Sequence, residues 1–216
     1  MVDLDFAIES ARVEPGAASP MLFFSLHVTN KSQAVPIQNL MLNCQVRIEP
    51  TRRRYAPDDH DRLLDLFGEP ERWGQTLQGF LWVHTTASTP PFTDQCTIDL
   101  PVPCSYDFNI AATKYFYGLN EGDVPLLLLF SGSVFYLDNA GNLQAAQIPW
   151  SKEASFRLPV KLWQTMMDCY YPDSTWLRLR RDVFEQLYRY KRHRRLPTFE
   201  LALQALLDER TGDTRP

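Results

Sequence analysis

The residues best equipped for chemistry lie towards the C-terminus. Between Ser174 and Arg195 the chain holds eight Lys or Arg against two Asp or Glu, a local charge of +6; with a net charge of −4 overall, the remainder carries −10. Read as a helix, the segment from Trp176 places Trp176, Leu179, Val183, Leu187 and Tyr190 on one apolar stripe, spaced by three and four, widened by Phe184 and Tyr188. Arg178, Arg181, Arg189, Lys191, Arg192, Arg194 and Arg195 then fall largely off the stripe. They are densest at the C-terminal end, where cations complement the helix dipole. A solvated face accounts for such a run, and so does an anion-binding patch. Tyr188 and Tyr190 among the basic residues would suit base stacking, but the acidic overall balance and the lack of a reader motif argue against nucleic acid. The expected partner is therefore an acidic surface of another protein, a second copy of the chain included. Arg178, Arg181, Arg189, Arg192, Arg194 and Arg195 would make the contacts, with Trp176 or Tyr190 as apolar anchor.

Other constellations are weaker. DDHDR, Asp58 to Arg62, gathers carboxylates around His60, yet adjacent residues rarely converge on one ion, and a capped helix start explains the same letters. Ser131 and Ser133 in FSGSVF lack the GxSxG elbow; Gly132 between them marks a bulge or a close backbone approach. His27, His84 and His193 lack a sequence context that supplies a nucleophile and an orienting group. No Gly-rich phosphate loop opens a helix. Cys44, Cys96, Cys104 and Cys169 have no CxxC spacing and read as reduced structural thiols. No catalytic residue, metal site or cofactor is assigned.

These residues need a scaffold, and its pattern is legible. Leu22, Phe24, Leu26 and Val28, then Leu40, Leu42, Cys44, Val46 and Ile48, alternate with polar residues as half-buried strands do. Leu4, Phe6 and Ile8 open the chain in the same way. Further strands are expected at Thr76–Thr86, with Phe80, Trp82 and His84 on one face, and at Cys96–Val102, where flanking prolines suggest an edge. Val124–Leu137 reads as a central strand buried on both faces, turned by DNAGN into LQAAQIPW, with SFRLPV as one more strand. Asp58 or Asp59 can cap a short helix with Leu63, Leu64 and Phe67 inward and Gly68 as its stop. IAATKYFYG fits helix or strand.

After Pro159 the period becomes helical. KLWQTMMDCYY ends at Pro172, Asp173 or Ser174 caps the basic helix, and Pro197 and Thr198 start a third helix with Phe199, Leu203, Leu206 and Leu207 inward. Trp150, Trp163, Tyr170 and Tyr171 are expected to pack the junction between sheet and helices. Strands followed by helices make an α+β chain: an antiparallel β-sandwich over 1–158, of roughly seven to nine strands, with a helical insertion near 58–75. Residues 159–210 form a three-helix appendage packed on it, and 211–216 a frayed tail. The N-terminus has no export-signal pattern and no stretch is long enough to span a bilayer, so a cytoplasmic protein is expected.

The phrases RIEPTRRRY, DLFGEPERWGQTL, GDVPLLLLFSGSVFY, LPVKLWQTMMDCYYP and WLRLRRDVFEQLYRYK resemble an uncharacterised bacterial family, a domain of unknown function, over nearly the whole chain. The resemblance implies an association with nickel–iron hydrogenase gene clusters and transfers no site residues. FSLHVTNKSQAVPIQNLMLNCQV is separately similar to the opening strands of immunoglobulin-like sandwiches, without their Cys and Trp markers. The expected function is a non-enzymatic binding, assembly or accessory protein, with hydrogenase maturation as a context. The alternatives are an enzyme or small-ligand carrier with a pocket between sheet and helices, favoured if such a pocket holds His84 or Asp107, and nucleic-acid binding through the basic helix.

Overall fold

The computed structural model describes residues 2–32, 35–105, 110–175 and 177–212. Eight strands and six helices follow in the order β1 (Leu4–Val13), β2 (Met21–Asn30), β3 (Ile37–Ile48), α1 (Pro57–Phe67), α2 (Trp73–Thr76), β4 (Phe80–Ser88), β5 (Gln95–Pro103), α3 (Ile110–Gly118), β6 (Asp123–Leu137), β7 (Leu143–Gln147), β8 (Glu153–Pro159), α4 (Val160–Tyr170), α5 (Arg181–His193) and α6 (Phe199–Gly212). The chain divides into two compact units, Met1–Ser174 and Thr175–Pro216. All strands and α1–α4 lie in the first unit; α5 and α6 form the second. No helix among the described residues is long and apolar enough to cross a membrane.

Alternation in sequence becomes alternation in burial. Leu22, Phe24, Leu26 and Val28 are fully buried on β2, as are Leu40, Val46 and Ile48 on β3. Each buried aliphatic or aromatic side chain of this size contributes about 1.5–3 kcal/mol. The strands make two antiparallel sheets, β1-β2-β5 and β4-β3-β6-β7, with β8 also on β6. Rings from one meet rings from the other: Phe6 stacks on Phe130 at 4.5 Å, and Phe24 meets Phe156 at 5.6 Å and Trp82 at 6.4 Å. Thr85 of β4 donates a 2.6 Å hydrogen bond to the Pro101 carbonyl of β5, joining the two sheets.

Strict period two breaks on β1, β4 and β6, and at Gln38 on β3. On β1 an extra residue at Glu9 shifts the register, so the inward series Leu4, Phe6 and Ile8 continues as Ala11 and Val13. On β4 Trp82 is the extra residue: Val46 pairs with Val83 and Arg47 with Leu81. Trp82 and Val83 are consequently both buried and His84 is exposed, which corrects the expectation that His84 shares a face with Trp82. The strand also begins at Phe80, since Trp73–Thr76 forms the short α2. β6 is buried all round only over Val124–Leu126; beyond that the odd positions are half-buried or exposed.

Gly132 sits in β6 opposite Leu42 with φ +130°, and a Cβ there would lie 2.0 Å from the Met41 carbonyl oxygen. Glycine is the residue that fits this close approach. β7 and β8 pair with the same edge of β6 one after the other, Ser133–Leu137 with β7 and Asp123–Leu129 with β8. The intervening Ile148–Lys152 leaves the sheet between two anchoring bonds, Ile148 N–H to Gly132 O and Phe130 N–H to Lys152 O, both 2.9 Å. Trp150 lies on this excursion, 90 % exposed. It therefore does not pack the sheet–helix junction, whereas Trp163 does pack, stacking on Phe116 at 5.1 Å. Tyr170 ties α4 to the β1–β2 turn by donating to the carbonyls of Glu14 and Ala17.

The ambiguous IAATKYFYG is helical. Its Tyr115 meets Phe67 of α1 edge-on, and a Cβ on Gly118 would strike Leu63 of α1. In α1, Asp59 does not occupy the position before the helix. It stands in the first turn, and its carboxylate accepts the Ala56 N–H at 3.1 Å. Leu63 and Phe67 face inward as expected, Leu64 is exposed, and Gly68 at φ +72° ends the helix. Asp59 also faces Arg53 at 3.5 Å, both side chains being under 10 % exposed. Beside them Tyr55 and Tyr115 share a 2.8 Å hydroxyl contact. Burial pushes the Tyr115 hydroxyl up to about 12 and raises that of Tyr55 further.

Candidate partner-binding site

The second unit carries the basic run. α5 begins at Arg181, later than the periodicity from Trp176 suggests. Asp173 adopts φ +52° in a tight turn, with Ser174 N–H on Tyr171 O, and so caps no helix. Arg180 is extended, and Asp182 in the first turn pairs with it at 3.2 Å. An acid at this end is favoured by the helix dipole, and Leu177–Arg180 offers none. At the other end Arg195 takes φ +54° and Leu196 N–H reaches Lys191 O at 3.0 Å, a Schellman closure with Arg where Gly is usual. Thr198 accepts the Leu201 N–H and opens α6, as Pro197 and Thr198 suggested.

The basic side chains divide into engaged and free. Arg194 is ion-paired with Glu209 of α6 and lies over the Tyr190 ring, and the Tyr190 hydroxyl donates to Glu209 at 3.1 Å. Partial desolvation and that carboxylate raise the Tyr190 hydroxyl above its ordinary range. Tyr190 is thus a bridge between the helices. Arg192 sits over Tyr188 at 5.9 Å and Lys191 over Phe199 at 5.3 Å. Arg178 lies before the helix, and Arg181 is its first residue. Among the described residues Arg178, Arg181, Arg189, Arg192 and Arg195 have no ion pair, and Arg189 donates only to its own helix at Glu185 O. Trp176 and Asp107 lie outside the described residues.

The apolar side of this unit differs from expectation. Leu187 and Ala202 are buried, but Leu203, Leu206 and Leu207, read as inward, are exposed along with Leu201. The reason is the helix phase: α6 turns its small Ala202 towards the interior, leaving the leucines round the rest of the circumference. Phe184, Tyr188 and Phe199 form a ring cluster with centroids 5.2–6.4 Å apart. Leu177, Leu179, Arg181, Phe184, Leu187, Phe199 and Leu203 line a groove of about 470 Å³. Sequence reasoning placed Phe184 beside the stripe but missed it as an exposed anchor, as it missed Leu177 and Leu203. The signal present in sequence was the excess of apolar residues over what two short helices can bury.

Elsewhere, His60 packs edge-on against Trp73 at 4.9 Å. Among the described residues no group of three or more His, Cys, Asp and Glu could hold a metal. Cys44 and Cys104 are buried, Cys96 is half-buried and Cys169 exposed, all as free thiols. Burial pushes Cys44 up to about 12 and Cys96 up to about 11.

No curated protein matches the chain. Among solved structures it is similar to a β-glucosidase from Kluyveromyces marxianus (8 % identity over 72 % of this chain and 15 % of that one, TM-score 0.26) and to β-glucosidase 3B from Thermotoga neapolitana (11 %, 72 % and 17 %, 0.26). It is also similar to the putative ApaA protein from Bordetella pertussis (12 %, 73 % and 93 %, 0.24). The chain thus spans less than a fifth of the two β-glucosidases it matches. One family model matches residues 1–215, and by that match the chain belongs to DUF6084, a family of unknown function.

Proposed function

We propose that the chain is a non-enzymatic binding protein whose second unit docks an acidic, amphipathic helix of another protein. One observation carries this reading: an exposed apolar groove is lined in part by Arg181, which, like Arg189 and Arg192 on the same helix, has no acidic partner among the described residues. Phe184 and Leu203 would receive the partner's apolar face. Arg181, Arg189 and Arg192 would meet its carboxylates, steering the encounter and fixing the register. The family's implied association with nickel–iron hydrogenase clusters makes a hydrogenase subunit or maturation factor the first partner to try, in an accessory role.

In the same reading the first unit is an immunoglobulin-like sandwich that serves as scaffold. Orders β1-β2-β5 and β4-β3-β6-β7 correspond to pairing A-B-E against a sheet in which the fourth strand has joined C, F and G.

The test is co-purification of partners with the tagged full chain from its native host, compared with the double variant Arg189→Glu/Arg192→Glu and with Phe184→Asp. Partner recovery should fall in both variants, and recovery by the wild-type chain should fall as salt rises. Unchanged recovery with both variants, or recovery only of nucleic acid, overturns the proposal.

A further inference from the structure

The first unit holds a second basic feature, unrelated to the C-terminal run. Thr51, Arg52, Arg53, Arg54, Gly122, Asp123 and Arg157 line a cavity of about 530 Å³. A volume of this size is that of a small-molecule site. Its walls come from three places in the chain: the loop after β3, the turn before β6, and strand β8.

Arginine-to-carbonyl bonds hold these walls together. The Arg53 guanidinium donates to the carbonyls of Arg54, Glu121 and Asp123 at 3.1–3.2 Å, clamping the loop to the turn. It rests on the Tyr55 ring at 5.2 Å and is balanced by buried Asp59. Arg157 donates to the Arg52 carbonyl at 3.3 Å and fixes the third wall. Gly122, at φ +81°, supplies the left-handed backbone conformation that the turn before β6 takes. The framework is thus in place before any ligand arrives, which lowers the cost of binding.

What remains unsatisfied is charge. Arg52 and Arg54 have no ion pair among the described residues, and Arg157 spends one of its five N–H donors. With Arg53 balanced by Asp59, the lining of three arginines and one acid, Asp123, carries a net charge of +2. A phosphomonoester near neutral pH carries about −1.5 to −2 and three acceptor oxygens. Guanidinium forks match such oxygens in pairs. A monocarboxylate would leave half of the charge unmet, and a bare phosphate would leave most of the volume empty. We infer that the cavity bounded by Arg52, Arg54 and Arg157 binds the phosphate group of a small phosphorylated molecule.

The probe is glycerol 3-phosphate, titrated calorimetrically into the full chain, with acetate at matched ionic strength as comparison. Saturable one-to-one binding is expected for the phosphate compound and none for acetate. Arg54→Gln and Arg157→Gln should each weaken binding about tenfold, the loss of one charge-assisted contact, and the double variant should abolish it. Arg72→Gln, exposed and outside the cavity, should bind as the wild type does. Arg54 makes no side-chain bond of its own among the described residues, so its replacement leaves folding intact and the result readable. Absence of saturable binding, an equal response to acetate, or unchanged affinity in the double variant overturns the inference.

Discussion

Replacing Asp59 tests whether the buried Arg53–Asp59 pair organises this end of the first unit. Removing one member of a buried pair costs about 3–5 kcal/mol, because the other charge is left uncompensated. Here that figure is an upper bound. The closest approach is 3.5 Å, longer than the 2.7–2.9 Å of a strong charge-assisted bond. Arg53 also keeps three carbonyl acceptors when the carboxylate is gone. Asp59→Asn keeps an oxygen for the Ala56 N–H and removes only the charge, for an expected cost of about 2 kcal/mol, below that bound. Asp59→Ala also removes the contact at the helix start, worth about 1 kcal/mol, and should reach about 3 kcal/mol. In a unit of this size each kcal/mol lowers the melting midpoint by about 2–4 °C. The assay is urea and thermal unfolding followed by tryptophan fluorescence, since Trp73 packs against Tyr55, His60 and Phe67 in the same cluster. Equal losses in the two variants would show that the helix-start contact contributes nothing. A cost for Asp59→Ala below about 0.5 kcal/mol, the range of ordinary surface changes, would refute the argument.

Three further predictions concern the first unit. Gly132→Ala should destabilise by about 3 kcal/mol or more, combining a positive-φ cost with displacement of the Met41 carbonyl, and a chemical-denaturation midpoint equal to wild type would contradict it. With a thiol reagent at pH 8, Cys169 should react first and Cys44 and Cys104 only on unfolding. The same raised groups set a pH dependence: Cys44, Cys96 and Tyr115 stay protonated when folded, while the unfolded chain loses thiol protons from about pH 8.5. The contribution of these groups should therefore be level below that pH and fall as pH rises from there towards 11, checked by denaturation midpoints between about pH 7 and 11.

Much of the sheet was legible because burial on one face writes itself into the sequence every second residue, as in Leu22 to Val28 and Leu40 to Ile48. Where an extra residue enters a strand, that record breaks. Trp82 shows why His84 was placed on the wrong face: nothing in FLWVH announces which residue the neighbouring strand will skip. The DDHDR letters point to the helix start but not to its partner, because Arg53 lies outside them, across the extended segment Arg54–Ala56. In the second unit the stripe from Trp176 was extended too far towards the N-terminus, since an apolar residue at a helical spacing fits an extended approach equally well. Leu203, Leu206 and Leu207 were assigned inward on period alone, although period cannot say which side of a two-helix pair is covered. The cavity around Arg52 and Arg54 was invisible in TRRRY for a different reason. Its third wall, Arg157, stands 103 residues beyond Arg54 in the chain, and only the β6–β8 pairing brings it alongside.

The irregularities in the strands have a consequence for how copies of this molecule meet. Each sheet margin is interrupted: β1 by the extra Glu9, β5 by Pro101 and Pro103, β4 by the extra Trp82, and the far margin by the departure of Ile148–Lys152 between β7 and β8. An uninterrupted margin is a template on which a neighbouring polypeptide can extend the hydrogen-bond ladder. Broken at all four borders, the described sheets present shorter continuous runs of backbone donors and acceptors than unbroken margins would, which hinders head-on growth of a strand-rich protein through its own ladders.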